Sequence, residues 1–196
     1  MRILTTGIKG IDPERFKPIT EKGSGCGLNK PDYGYCLYGS TMIKNPNGSV
    51  YSDWKRFTAT DYSGKDRSYG ISYKLKKSAK IFEVGSLDDY KKLIARYPLD
   101  EGFQIAIDFF KLSQDYDAFH LTTDAFWDLR MPTMYYDEHT LKITNWFKEQ
   151  RDIGKHIADF YAYDAETWLI FNIDCINFGS ILSHGNIQYE EFDMEE

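Results

Sequence analysis

Apolar and polar positions alternate with period two along several short runs of this chain and follow a helical period along a few others. Arg2 to Thr6 (RILTT) predicts a short strand, stopped by Gly7 and Gly10. Residues 8 to 34 form a long polar connection rich in proline and glycine. Tyr35 to Thr41 (YCLYGST) predicts the next strand, and Asn45-Pro46-Asn47-Gly48 is a strong turn. Tyr51, Trp54 and Phe57 stand at helical spacing within Val50 to Thr58, which predicts a helix with one aromatic face, capped by Ser49 or Ser52. Tyr69 to Leu75 alternates cleanly, and Lys80 to Val84 is a further short strand. Ser86 and Asp89 make a capping box for a helix ending near Tyr97. Ile105 to Leu112 predicts a short amphipathic helix and Tyr116 to Leu121 a strand. Residues 123 to 159 read as an insertion with a helix from Glu138 to Gln150, and the acidic tail YEEFDMEE as frayed.

Many short strands with few helices between them exclude a doubly wound parallel sheet. The pattern predicts an α+β fold over residues 1 to 196: two small, mostly antiparallel sheets with helices packed outside, in a single domain.

Composition narrows the partners. A hydrophobic content of 42% with 16% aromatics describes a globular chain that can bury a core. A formal net charge of −6 argues against a partner recognised through its phosphates. No apolar run has the length of a membrane span, and MRILTTGIKG lacks the apolar core of a signal peptide. Cys26, Cys36 and Cys175 are widely spaced, with no histidine at ligand spacing. That pattern predicts reduced thiols in the cytoplasm and neither a disulfide frame nor a metal site. Gly23 to Gly27 (GSGCG) follows no apolar strand and opens no helix, so it is not a dinucleotide fingerprint.

The candidate chemistry lies in Phe160 to Asn172 (FYAYDAETWLIFN). Asp164 and Glu166 stand two residues apart where a loop enters an apolar strand, so strand parity places both acids on one face with Trp168 and Ile170. Carboxylates at the mouth of a buried strand are costly unless partnered or used. The plain alternative is that Asp164 closes a turn and Glu166 is solvated.

Six segments, in order, resemble a family of bacterial and phage proteins related to ADP-ribosyltransferases. They are DPERFKPI (Asp12 to Ile19), LNKPDYGYCLYGST (Leu28 to Thr41), SDWKRF (Ser52 to Phe57), KLKKSAKIFEVGSLDDYKKL (Lys74 to Leu93), IDFFKLSQDYDAFHL (Ile107 to Leu121) and FYAYDAETWLIFNIDCI (Phe160 to Ile176). The second is similar to the family's KP-x-GGLW-x-S stretch, and the last to its acidic motif.

The resemblance implies an ADP-ribosyltransferase-like fold, NAD as ADP-ribose donor, and a late carboxylate as the catalytic group. Carried over residue by residue, Glu166 is that carboxylate, Asp164 orients the attacking group or acts as its base, and Ser40 and Thr41 brace Glu166 or bind the ribose. Tyr38 and Trp54 are candidates for the nicotinamide wall, and the Thr6-Gly7 backbone for its amide partner. Trp54 has the competing reading of a core side chain. Thr5, Thr6 and Gly7 hold no Arg or His where the family's first-strand positioning residue is expected. That departure keeps open a catalytically inactive relative that binds a nucleotide or a protein. A structural interaction protein is a further alternative, resting on the acidic surface alone. His120 reads as a core or rim residue, and His139, His156 and His184 carry no signal. The negative charge favours a protein acceptor over nucleic acid, with no membrane partner. Arg130, Tyr135, Tyr136, Trp146, Phe147 and Arg151 of the 123 to 159 segment are the expected docking residues, with the alternative that Trp146 and Phe147 anchor the segment's helix to the domain.

Overall fold

The structure is a computed structural model that describes residues 1–21, 29–31, 34–61, 68–132, 140–187 and 189. The first strands are β1 (Ile3–Thr6), β2 (Leu37–Thr41), β3 (Ile43–Lys44), β4 (Val50–Tyr51), β5 (Gly70–Leu75) and β6 (Ile81–Val84). They are followed by β7 (Pro98–Asp100), β8 (Ile105–Ile107), β9 (Ala118–Leu121), β10 (Thr167–Ile170) and β11 (Ile176–His184). The helices are α1 (Asp53–Asp61), α2 (Leu87–Arg96), α3 (Phe109–Asp115), α4 (Thr123–Arg130) and α5 (Leu141–Asp152). The fold is α+β, as expected.

Its sheet differs from the expectation. Seven strands form one sheet in the order β11-β5-β1-β2-β10-β9-β6, and β3-β4 and β7-β8 are separate two-stranded ribbons. Neighbours are antiparallel except β6 and β9, which run parallel. β2 joins the two halves, and its two ladders are staggered. Leu37–Gly39 pairs with β10, whereas Ser40–Thr41 pairs with β1. Short alternating runs predict the strands but not that β2 is shared between two ladders, because alternation says nothing about which strands become neighbours.

Alternation along β10 does what the sequence predicts. Leu169 and Phe171 join Phe119, Leu121 and Val84 in the larger core, covered by Tyr90, Leu93, Phe109 and Phe126 from the helices. Trp168 and Ile170 face the other way, against Ile3, Ile71 and Tyr73.

Three elements correct the sequence reading. The expected helix Ile105 to Leu112 is split: Ile105–Ile107 is β8, and α3 begins after Asp108, whose Oδ1 accepts the Lys111 N–H at 3.0 Å. Val50–Tyr51 is strand β4, so Tyr51 leaves the aromatic stripe and α1 begins at Asp53. The 123 to 159 segment contributes two helices, and its Phe126, Leu129, Ile143 and Phe147 are core residues. Phe147, expected as an exposed docking residue, is 6% exposed, and the Trp146 ring packs edge-on against Tyr90. Those two side chains therefore hold α5 to α2. Tyr135, Tyr136, Cys26, His139, the Gly23 to Gly27 cluster and most of the acidic tail lie outside the described residues.

No helix among the described residues is long and apolar enough to cross a membrane.

β1 and β5 approach so closely that a Cβ on Gly70 would sit 2.3 Å from the Thr5 carbonyl oxygen, whereas one on Gly10 would meet nothing within 4 Å. Gly70→Ala is therefore expected to cost about 2 kcal/mol or more by overpacking, and Gly10→Ala to change stability by less than about 0.5 kcal/mol. Urea unfolding midpoints decide between them. A second expectation concerns Cys175, whose thiol burial pushes up to about 12 from 9.0. The folded chain keeps that thiol neutral, so its contribution to stability is full below the unfolded value and is lost as pH rises towards the folded one. Between pH 9 and 12 the unfolding midpoint should fall less in Cys175→Ala than in the wild type.

Candidate functional site

β2 ends in Gly39-Ser40-Thr41, and each of these small residues has a separate task. Gly39 lets β1 close in, since a Cβ there would lie 2.5 Å from Ile3 Cγ2. The Ser40 hydroxyl donates to the backbone carbonyl of Glu166 at 2.6 Å. Thr41 holds the Glu166 carboxylate twice: its N–H donates to Oε2 at 2.7 Å and its hydroxyl to Oε1 at 2.7 Å. The Trp168 indole N–H in turn donates to Thr41 Oγ1 at 3.0 Å. Register explains the convergence. Trp168 pairs with Gly39 on one side and with His120 on the other, so continuing the ladder puts Thr41 opposite Glu166.

His120 completes the cluster. Its Nε2 lies 2.7 Å from Glu166 Oε1 and its Nδ1 lies 2.9 Å from Glu83 Oε2. Glu83 is opposite His120 in the parallel β6–β9 pair, which brings that carboxylate to the ring. The imidazole stacks on Trp168 with centroids 3.9 Å apart and planes 13° from parallel. A neutral imidazole carries one N–H, yet both nitrogens face carboxylate oxygens. Both contacts become hydrogen bonds when the ring or one carboxyl holds a further proton. Glu166 is 3% exposed, and these donors offset the cost of burying its charge.

Two cavities flank this end of the sheet. One, of about 280 Å³, is lined by Thr5, Thr6, Tyr38, Ser40, Trp54 and Asp164, with Lys30 and Tyr163 at its wall. It opens where β1 departs from β2, and the Thr5 hydroxyl spans the departure by donating to the Tyr38 carbonyl at 2.8 Å. Lys30 reaches it because Asn29 is pinned: the Asn29 Oδ1 accepts the Ile107 N–H at 2.8 Å, and Lys30 Nζ donates to the Ala162 carbonyl at 3.0 Å. The other cavity, of about 310 Å³, is lined by Thr41, Asp53, His120, Thr122, Asp124 and Glu166.

The predicted site residues thus divide. Thr6, Tyr38, Ser40, Trp54 and Asp164 meet in the first cavity, while Thr41 and Glu166 line the second. Asp164 and Glu166 do not share a face as expected: β10 begins only at Thr167, so the period-two rule does not reach back to Asp164. Gly7, at φ 80°, lines neither cavity, and its N–H is committed to the Tyr69 carbonyl at 2.8 Å. Trp54 faces the first cavity from α1, with its ring 5.8 Å from that of Phe57.

Glu83 and His120 are site residues that the sequence reading missed. Each is an ordinary alternating strand position, and the register that joins them to Glu166 exists only once β6, β9 and β10 are side by side.

Comparison of the chain with protein-family models, with curated proteins and with solved structures gives no significant match.

Thr41→Val keeps the shape of the side chain but removes a donor to Glu166 and the acceptor for the Trp168 indole. A cost of about 1–3 kcal/mol is expected from these buried groups losing partners. A urea midpoint equal to that of the wild type would remove Thr41 from the account of how Glu166 is held.

Proposed function

We propose that this chain is an NAD-dependent mono-ADP-ribosyltransferase that modifies a protein, with an ADP-ribosyltransferase-like fold and Glu166 as its catalytic carboxylate. The observation that carries this reading is the Glu166 side chain: a buried acid, clamped on both oxygens by Thr41 and on one by His120, at the border of a cavity. The resemblance of Tyr163 to Thr167 to the family's acidic motif supports it.

Cleaving the bond between nicotinamide and ribose develops positive charge on the ribose, as in glycoside hydrolysis. A carboxylate that is already oriented stabilises this charge without reorganising when it appears. Among the described residues, Oε2 accepts one hydrogen bond, from Thr41. Its second lone pair suits a ribose hydroxyl. The cavity lined by Tyr38, Trp54, Ser40 and Thr6 offers aromatic walls and hydroxyls for the nicotinamide end, with Asp164 as its acid. Ser40 lines the first cavity and its strand neighbour Thr41 the second, beside Glu166. A protein acceptor is favoured over nucleic acid by the net charge of −6.

One observation favours a second reading, a catalytically inactive relative that binds a nucleotide or a protein. β1 offers Thr5 and Thr6, followed by Gly7, where an Arg or His positioning residue is expected.

Glu166→Gln decides between the two. It preserves size and should leave the chain folded, while nicotinamide release falls about 100- to 1,000-fold, the scale of losing one preorganised electrostatic contact. NAD binding without release by the wild type, matched by the variant, would establish the inactive relative instead. Release at the wild-type rate by a folded variant would remove Glu166 from the chemistry.

A further inference from the structure

Glu166 is buried, yet transfer to an O–H or N–H acceptor must dispose of a proton. When the glycosidic bond breaks, its electron pair leaves with nicotinamide, which departs neutral. The acceptor's lone pair forms the new bond to the ribose, and the acceptor's proton must then reach water. With 3% exposure, Glu166 has little direct access to solvent. The side chain of Glu83, on the sheet's edge strand, is 59% exposed, and His120 lies between the two acids at 2.9 and 2.7 Å.

We propose that His120 and Glu83 are the proton outlet of Glu166. The inference rests on the reading of Glu166 as the catalytic carboxylate and assigns roles to two residues outside the acidic motif. The acceptor's proton passes to the Glu166 carboxylate and then to His120 Nε2. The proton on Nδ1 moves to Glu83, which gives it to water. The sum is NAD⁺ plus acceptor going to ADP-ribosylated acceptor, nicotinamide and one H⁺, with no oxidant or reductant.

Three features suit the path to this task. Stacking on Trp168 holds the ring plane during the transfer, and the ring regains its Nδ1–H tautomer between turnovers by exchange with water, with no net change in protons. Both nitrogens are already within hydrogen-bonding distance of their carboxylates. Among the described residues, the charged ones that contact the imidazole or line the cavity with it are acids: Glu83 from β6, Glu166 ahead of β10, Asp53 from α1 and Asp124 from α4.

Glu83→Gln separates this role from mere support. A glutamine still accepts from Nδ1–H, so it holds the ring, but it takes up no proton. The expected result is a KM for NAD within about twofold of wild type and a kcat lowered about 10- to 100-fold, the scale of general acid–base help. The pH dependence of kcat should change as well. His120→Ala should lose activity and regain part of it when free imidazole is added, which a purely structural side chain would not allow. The ¹⁵N resonances of the His120 ring, read without NAD, should shift between the wild type and Glu83→Gln. If the wild type releases nicotinamide but Glu83→Gln keeps its kcat and pH profile, the relay is overturned and the proposed function stands. The relay is likewise overturned if imidazole restores nothing to a folded His120→Ala, or if the ring resonances do not move. A wild type that releases no nicotinamide overturns the proposed function and the relay together.

Discussion

The structure turns on how β2 is shared. An antiparallel ladder can continue only while both strands keep their spacing. β2 keeps it with β10 over Leu37–Gly39 and with β1 over Ser40–Thr41. On each flank, a side chain takes over where the ladder stops. Thr5 donates to the Tyr38 carbonyl on one side; on the other, Ser40 takes the Glu166 carbonyl and Thr41 its carboxylate. Buried backbone groups must be paired, and these substitutions pair them while letting the strands part. The partings are where the two cavities lie.

The same substitution explains why a carboxylate can be buried here. Glu166 occupies the place of a ladder partner, so the Thr41 N–H that receives it is fixed by the sheet itself. Trp168 adds rigidity from both directions, donating to Thr41 and stacking on His120. Removing any member exposes the others to unsatisfied burial, and such networks are coupled more strongly than their separate bonds suggest. Positioning is therefore achieved by the sheet's register rather than by a loop.

Asp164 and Glu166 line different cavities. Asp164 faces aromatic walls and hydroxyls; Glu166 faces His120, whose other ring nitrogen meets Glu83 on the sheet's edge strand. The proposed chemistry uses this division, with binding of the planar end in one cavity and charge stabilisation in the other. The helices of the 123 to 159 segment have a supporting part, since Phe147 and Trp146 fasten α5 against Tyr90 of α2.

Local pattern alone determined the strands β1, β2, β5, β6, β9 and β10, the Ser86 cap of α2 and the alternation of Trp168 and Leu169 between two cores. Each depends on neighbours a few residues away. It also pointed to Asp164 and Glu166, whereas the Ser40-Thr41 pair was named by the family resemblance. It mistook Ile105 to Leu112 for one helix, because a strand and a following capped helix can together mimic a helical apolar period. Only the tertiary structure decided that two expected sheets are one, that Asp164 and Glu166 part company, and that Glu83 and His120 belong to the site. Those facts follow from register and strand order, which are settled between segments as distant as β6, β9 and β10. No window along the chain contains them.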